Sequence, residues 1–142
     1  MKVIVDANVL SEGSKPKPDI AVLKWLRQNE KDIVVNPIIL GEMEFGILRL
    51  ADGQRKTSLM NWFRRGVKFL PVIEIDAMTA HHWAALLTEL QESGYSMPIK
   101  DSLIAASARQ HRFKVATRNL RDFQHAGVEL IDPFGPTGRM DP

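Results

Sequence analysis

Short apolar runs alternate along this chain with longer stretches in which apolar residues recur every three or four positions. The runs are 2–5 (KVIV), 32–35 (DIVV), 69–75 (FLPVIEI), 113–117 (FKVAT) and 128–131 (VELI), each bounded by polar or turn residues. Brief and rich in Val and Ile, they predict strands buried on both faces, the habit of parallel sheets. The longer stretches predict helices. Asp19 is placed to cap one running to Asn29, with Ile20, Val22, Leu23 and Leu26 inward. Pro37 suits the first turn of a helix reaching Leu50. Others are expected over 54–65, from the cap Asp76 to Glu92 with Gly94 as its stop, and over 101–111 after Pro98.

Strands alternating with helices predict an α/β fold, a parallel sheet with helices on both faces. No internal repeat or linker interrupts it. From Pro133 the sequence "PFGPTGRMDP" is rich in Pro and Gly and is expected to fray, which leaves a domain over 1–134 and a tail over 135–142. A chain of 142 residues suits one domain with a real core.

Composition adds exclusions more than it adds chemistry. Without cysteine there is no disulfide framework and no thiolate metal site. No apolar stretch approaches the ~18 residues of a membrane span, and Met1-Lys2 leads straight into a strand, so a cytoplasmic protein away from membranes is expected. His81, His82, His111 and His125 show no zinc spacing. The net charge is only +2, but basic residues cluster at Arg64, Arg65 and Lys68, and again at Arg109, Arg112, Lys114, Arg118 and Arg121. Such clusters suit a phosphate backbone and equally a solvated helix face.

Certain acids stand out by context. Asp6, in "VDANVLSE", ends the first strand; it is either a helix cap or a ligand at the carboxyl end of a sheet. Glu42, in "PIILGEMEFGIL", has Ile38, Ile39, Phe45 and Gly46 at helical spacing, an apolar face where a carboxylate is costly unless paired or metal-bound. Glu44 is surrounded just as apolarly by Leu40, Ile47 and Leu48, and periodicity does not choose between the two. Asp101 opens "DSLIAASARQ" and reads as a cap or as a ligand. "ATRNLRDF" leaves the fourth run with Asn119 and Asp122. Carboxylates gathered without Cys or paired His make a site for a hard ion, Mg²⁺ or Mn²⁺, suited to phosphodiester hydrolysis.

From "VIVDANVLSE" through "ILGEMEFGI" and "IKDSLIAASAR" to "VATRNLRDFQHAGVELIDPF", the chain resembles PIN-domain proteins. Among them it is most similar to the ribonuclease toxins of bacterial toxin–antitoxin pairs, of the VapC and FitB type. The resemblance implies a Rossmann-like PIN fold and a Mg²⁺- or Mn²⁺-dependent endoribonuclease, a dimer held in check by a small antitoxin. It matches Asp6, Glu42 rather than Glu44, and Asp101 to the first three acidic positions. Asp6 and Asp101 would then bind metal, and Glu42 would bind it or orient the attacking water. The fourth position falls in "TRNLRDF", where some relatives carry an acid at the position of Asn119; Asn119 and Asp122 would complete the cluster or hold a second ion. Thr117 and Asn8 match positions that hold the acids together. Ala7 departs from the common Thr or Ser, which removes a hydroxyl but no ligand.

Rival readings follow from the same residues. A phosphotransferase would use Asp6 as nucleophile, but haloacid-dehalogenase-like proteins have a second Asp where this chain has Asn8. Receiver-type phosphoacceptors carry their nucleophile after a later strand. A PIN-fold RNA- or protein-binding module without chemistry is the non-enzymatic alternative.

Overall fold

The computed structural model describes residues 1–134 and the backbone of 140–141. The elements are β1 (Val3–Val5), α1 (Ala7–Leu10), α2 (Ile20–Gln28), β2 (Ile33–Val34), α3 (Pro37–Leu48), α4 (Gln54–Arg65), α5 (Ala77–Ser93), α6 (Ile99–His111), β3 (Lys114–Ala116), α7 (Leu120–Phe123), β4 (Leu130–Ile131) and β5 (Met140–Asp141), with 3₁₀ turns at Ser11–Ser14 and Val67–Phe69.

The sheet order is β2-β1-β3-β4-β5. The first four strands are parallel, with Val3 opposite Ile33 and Lys114, Val5 opposite Ala116, and Val115 opposite Leu130. Helices cover both faces, and so the strand interiors are apolar: Ile4, Val5, Val115 and Ala116 are fully buried, with Lys114 at the start of β3 half-buried. Val22, Ile39, Leu86, Ile104 and Phe123 fill the layers against them.

Local chemistry sets the helix boundaries. Asp19 accepts the Ala21 N–H at 2.9 Å, and Asn36 accepts the Ile39 N–H at 3.0 Å ahead of Pro37. Asp76 and Thr79 form a reciprocal capping box, and Gly94 closes α5 in the left-handed region at φ 76°. The Asn36 Nδ2 also donates to Ser107 Oγ at 3.2 Å, a buried bond from the start of α3 to the body of α6.

The segment 69–75 corrects the sequence expectation. It is not a ladder strand: Val67–Phe69 forms a 3₁₀ turn, and only Val72 bridges, in parallel, to Val35. Pro71 has no N–H to donate, although its carbonyl accepts the Val35 N–H at 3.0 Å. The α6 helix begins at Ile99 instead of 101, behind Pro98. Within the tail expected to fray, Met140–Asp141 pairs antiparallel with β4; 135–139 and 142 lie outside the described residues. Among the described residues, no helix is long and apolar enough to cross a membrane.

Candidate active site

Asp6 sits where β1 stops. Its N–H still belongs to the sheet, donating to the Ala116 carbonyl at 2.9 Å. Its side chain caps α1, with Oδ1 accepting the Ala7 N–H at 2.8 Å. The second oxygen, Oδ2, accepts the Thr117 hydroxyl at 2.8 Å. Thr117 leaves β3 as Asp6 leaves β1, and neighbouring parallel strands thus end on one hydrogen-bonded pair. Asn8 reinforces it: Nδ2 lies 3.4 Å from both Asp6 Oδ2 and Thr117 Oγ1, and Oδ1 accepts the Arg118 N–H at 3.1 Å. Thr117 Oγ1 also accepts the Asn119 N–H at 3.0 Å. The cap reading of Asp6 is therefore true of one oxygen, while the other is held rigidly at the strand ends.

Glu42 lies midway along α3 and half-buried; Glu44 is exposed, which separates two positions that periodicity left equal. Glu42 Oε2 stands 2.7 Å from Lys100 Nζ. Its Oε1 is buried and has no hydrogen-bond partner among the described residues, a costly state that a cation would relieve. Asp101 is buried in the first turn of α6, but no side chain caps that helix, so the cap reading does not describe it. Asp122, on α7, is half-buried.

Electrostatics tie these groups together. The Asp101 carboxyl is pushed up to about 6, first by burial and then by the charges of Asp6, Asp122 and Glu42, with Lys100 opposing. Burial also raises Asp6; the bonds from Thr117 and Ala7 pull it back, Glu42 raises it and Lys100 lowers it. Lys100 itself is raised, chiefly by its bond to Glu42. Four carboxylates and one ammonium thus share a field at the carboxyl ends of the strands. Asn119 is exposed and its side chain does not cap α7; only its backbone enters the network.

The sequence reading missed Lys100. An exposed lysine beside a helix start reads as solvated, and its partner Glu42 is 58 residues away. Part of the basic track is also corrected. Arg109 pairs with Glu89 at 2.7 Å and Lys114 with Glu129 at 2.8 Å. With Arg112 they line a hollow of about 520 Å³ beside Met1 and Val128, at the opposite ends of the strands from the acids. Arg118 stays at the acidic end, 4.5 Å over the Phe134 ring.

An all-oxygen donor set of this kind suits a hard divalent ion. As the side chains stand, no three acidic groups among the described residues converge on one point, Glu42 being turned onto Lys100.

A doubly wound parallel sheet with buried acids at its strand ends is a defined class, and residues 3–129 match the PIN domain family model. The chain belongs to the PIN domain family. It is 34% identical to the VapC ribonuclease Y4jK of Sinorhizobium fredii, over 94% of this chain and 99% of that protein. It is 28% identical to the toxin FitB of Neisseria gonorrhoeae, over 93% of this chain and 98% of that one. The crystal structure of FitAcB from Neisseria gonorrhoeae superposes with a TM-score of 0.86 at 28% identity, covering 92% of this chain and 97% of the other.

Proposed function

We propose that the chain is a metal-dependent endoribonuclease acting as the toxin of a toxin–antitoxin pair. The observation that carries this is the set of acids at the strand ends, with Asp101 raised to about 6 by burial and by its neighbours and Glu42 Oε1 buried without a partner. Such crowding is unfavourable for a bare fold and favourable for holding a cation. The names of relatives support the reaction: VapC ribonuclease Y4jK, and the tRNA(fMet)-specific endonuclease VapC of Salmonella typhimurium at 25% identity.

Asp6 and Asp101 would hold Mg²⁺ or Mn²⁺. Glu42, released from Lys100, would either join them or orient the attacking water. A divalent ion there supplies Lewis acidity at the scissile phosphate and eases deprotonation of that water. Thr117 and Asn8 fix the Asp6 carboxylate so that little reorganisation accompanies the reaction. Asp122 supports a weaker second ion, and Asn119, exposed beside the network, positions water by hydrogen bonding. On this reading the protein works in the cytoplasm as a homodimer and a small antitoxin silences it; the name of the relative, toxin FitB, supports the role of a toxin.

One observation favours a second reading, a PIN-fold binding module without chemistry: Glu42 is already neutralised by Lys100. End-labelled RNA incubated with the purified chain decides between them. Fragments formed with Mg²⁺ or Mn²⁺ and suppressed by chelator support the nuclease. RNA bound but uncut at every metal concentration supports the module.

A further inference from the structure

The acidic site keeps an ammonium at its mouth. Lys100 stands in the first turn of α6, next to Asp101, with its Nζ 2.7 Å from Glu42 Oε2. Its charge also acts on Asp6 and Asp101, lowering both against the effect of burial. We propose that Lys100 is a catalytic residue of the ribonuclease reaction: with Glu42 drawn to a divalent ion, the freed ammonium binds a non-bridging oxygen of the scissile phosphate and offsets the charge that develops there. The proposal rests on the ribonuclease reading.

Exposure orders these groups from the floor of the site to its mouth. Asp6 and Asp101 are 2% and 4% exposed, the Glu42 side chain 31% and the Lys100 side chain 55%. A phosphate arriving from solvent therefore meets Lys100 before it meets the buried carboxylates. The backbone beneath Lys100 is pinned. Ser102 donates its N–H to the Pro98 carbonyl at 3.0 Å and its hydroxyl to the Ile99 carbonyl at 2.6 Å, and Trp83 Nε1 donates to Ser102 Oγ at 2.9 Å. A long flexible stem on a fixed turn lets the ammonium swing from Glu42 to a neighbouring anion at little cost.

Charge gives that movement a purpose. Asp6, Glu42, Asp101 and Asp122, when ionised, carry about twice the charge of one divalent ion, so a loaded site still repels a phosphodiester. Other cations are committed elsewhere. Lys15 is bound to Glu12, Arg118 lies over the Phe134 ring, and Arg109 and Lys114 are paired at the opposite ends of the strands. A fixed positive charge where negative charge builds up lowers the barrier more than it strengthens ground-state binding. A lysine that only neutralises Glu42 in the empty site would be expendable once the ion is bound, and the two roles predict different kinetics.

The test pairs calorimetric titration of Mn²⁺ with cleavage of an end-labelled RNA at saturating Mn²⁺, for the parent chain, Lys100→Met and Lys100→Arg. Both variants change an exposed side chain and should melt like the parent. Lys100→Met is expected to bind Mn²⁺ at least as tightly as the parent and yet to lose about twentyfold in kcat, with KM little changed. That is less than the ~10²–10³ lost with an enclosed donor, because this ammonium is half-exposed. Lys100→Arg, which keeps a charge that phosphate accepts, should cut within about threefold of the parent. Lys31→Met, the same change at an exposed cation before β2, should cut like the parent. Parent-like cleavage by Lys100→Met, in a parent chain that cuts RNA, would overturn the assignment and leave the nuclease reading standing. A loss that disappears as Mn²⁺ is raised, or that Lys100→Arg does not relieve, would overturn it too, since Lys100 would then only support the ion or the turn. A parent chain that cuts no RNA at any Mn²⁺ concentration would overturn the ribonuclease reading and this assignment with it.

Discussion

The Thr117 hydroxyl donates to Asp6 Oδ2 at 2.8 Å across the ends of two adjacent parallel strands, joining residues 111 apart in the chain. Both residues are buried, so the bond holds a carboxylate that burial alone would protonate more readily. Thr117→Val keeps the shape and removes the donor. We expect a loss of about 1–3 kcal/mol in stability, the cost of a buried charged acceptor left short of a partner. Thr117→Ser should recover most of it. Urea titrations of the three chains make the comparison; equal midpoints for Val and Thr would show that the bond does not hold the site together.

Under the proposed reading, Lys100 would compete with a metal for Glu42. Its side chain is 55% exposed, so screening keeps the effect small. Lys100→Met should tighten Mn²⁺ binding by about fivefold, roughly 1 kcal/mol. Asp122→Asn should weaken it. Calorimetric titration of Mn²⁺ into each chain reads both; a weaker ion in Lys100→Met would mean that the lysine supports the site instead of opposing it.

The Asn36–Ser107 bond ties the helix that carries Glu42 to the helix that carries Asp101. Ser107→Ala leaves the buried Asn36 Nδ2 without its partner and should cost about 1–2 kcal/mol. Chemical denaturation gives the value, and a change below about 0.3 kcal/mol would show that the clamp is dispensable.

Stability should also depend on pH. The folded Asp101 carboxyl titrates at about 6, above its ordinary 3.8. Between those values the folded chain holds a proton that the unfolded chain has released, so this group's contribution falls as pH rises through 6. Asp6 is raised too and acts in the same direction. In chelator, the melting temperature should therefore drop from pH 5 to pH 7.5, and drop less in Asp101→Asn. A larger drop in the variant would contradict the electrostatic coupling.

What was legible in the sequence was what local chemistry encodes. Asp19, Asn36 with Pro37, the Asp76–Thr79 box and Gly94 mark helix ends within a few residues of themselves, and the helices fall where those signals lie. Asp6 and Asp101 were visible because they follow a strand and open a helix. Glu42 was not separable from Glu44, since both have apolar neighbours at helical spacing and only tertiary packing exposes one of them. FLPVIEI has a strand's composition, but pairing depends on a partner, and Val35 offers Val72 a single bridge. The turns α1 and α7 are too short for periodicity to show. The Lys100–Glu42 pair depends on chain segments 58 residues apart, for which no local pattern exists.

The central claim is that buried acids at the strand ends bind a divalent ion and cut RNA. The most direct measurement follows cleavage of end-labelled RNA against Mg²⁺ and Mn²⁺ concentration for the parent chain and for Asp101→Asn. The substitution keeps the size of the side chain and relieves a crowded charge, so the fold should be no less stable. The account predicts metal-dependent fragments from the parent and none above background from a folded Asp101→Asn chain at any metal concentration. Full metal-dependent activity in Asp101→Asn, or cleavage by the parent that is indifferent to chelator, would contradict it.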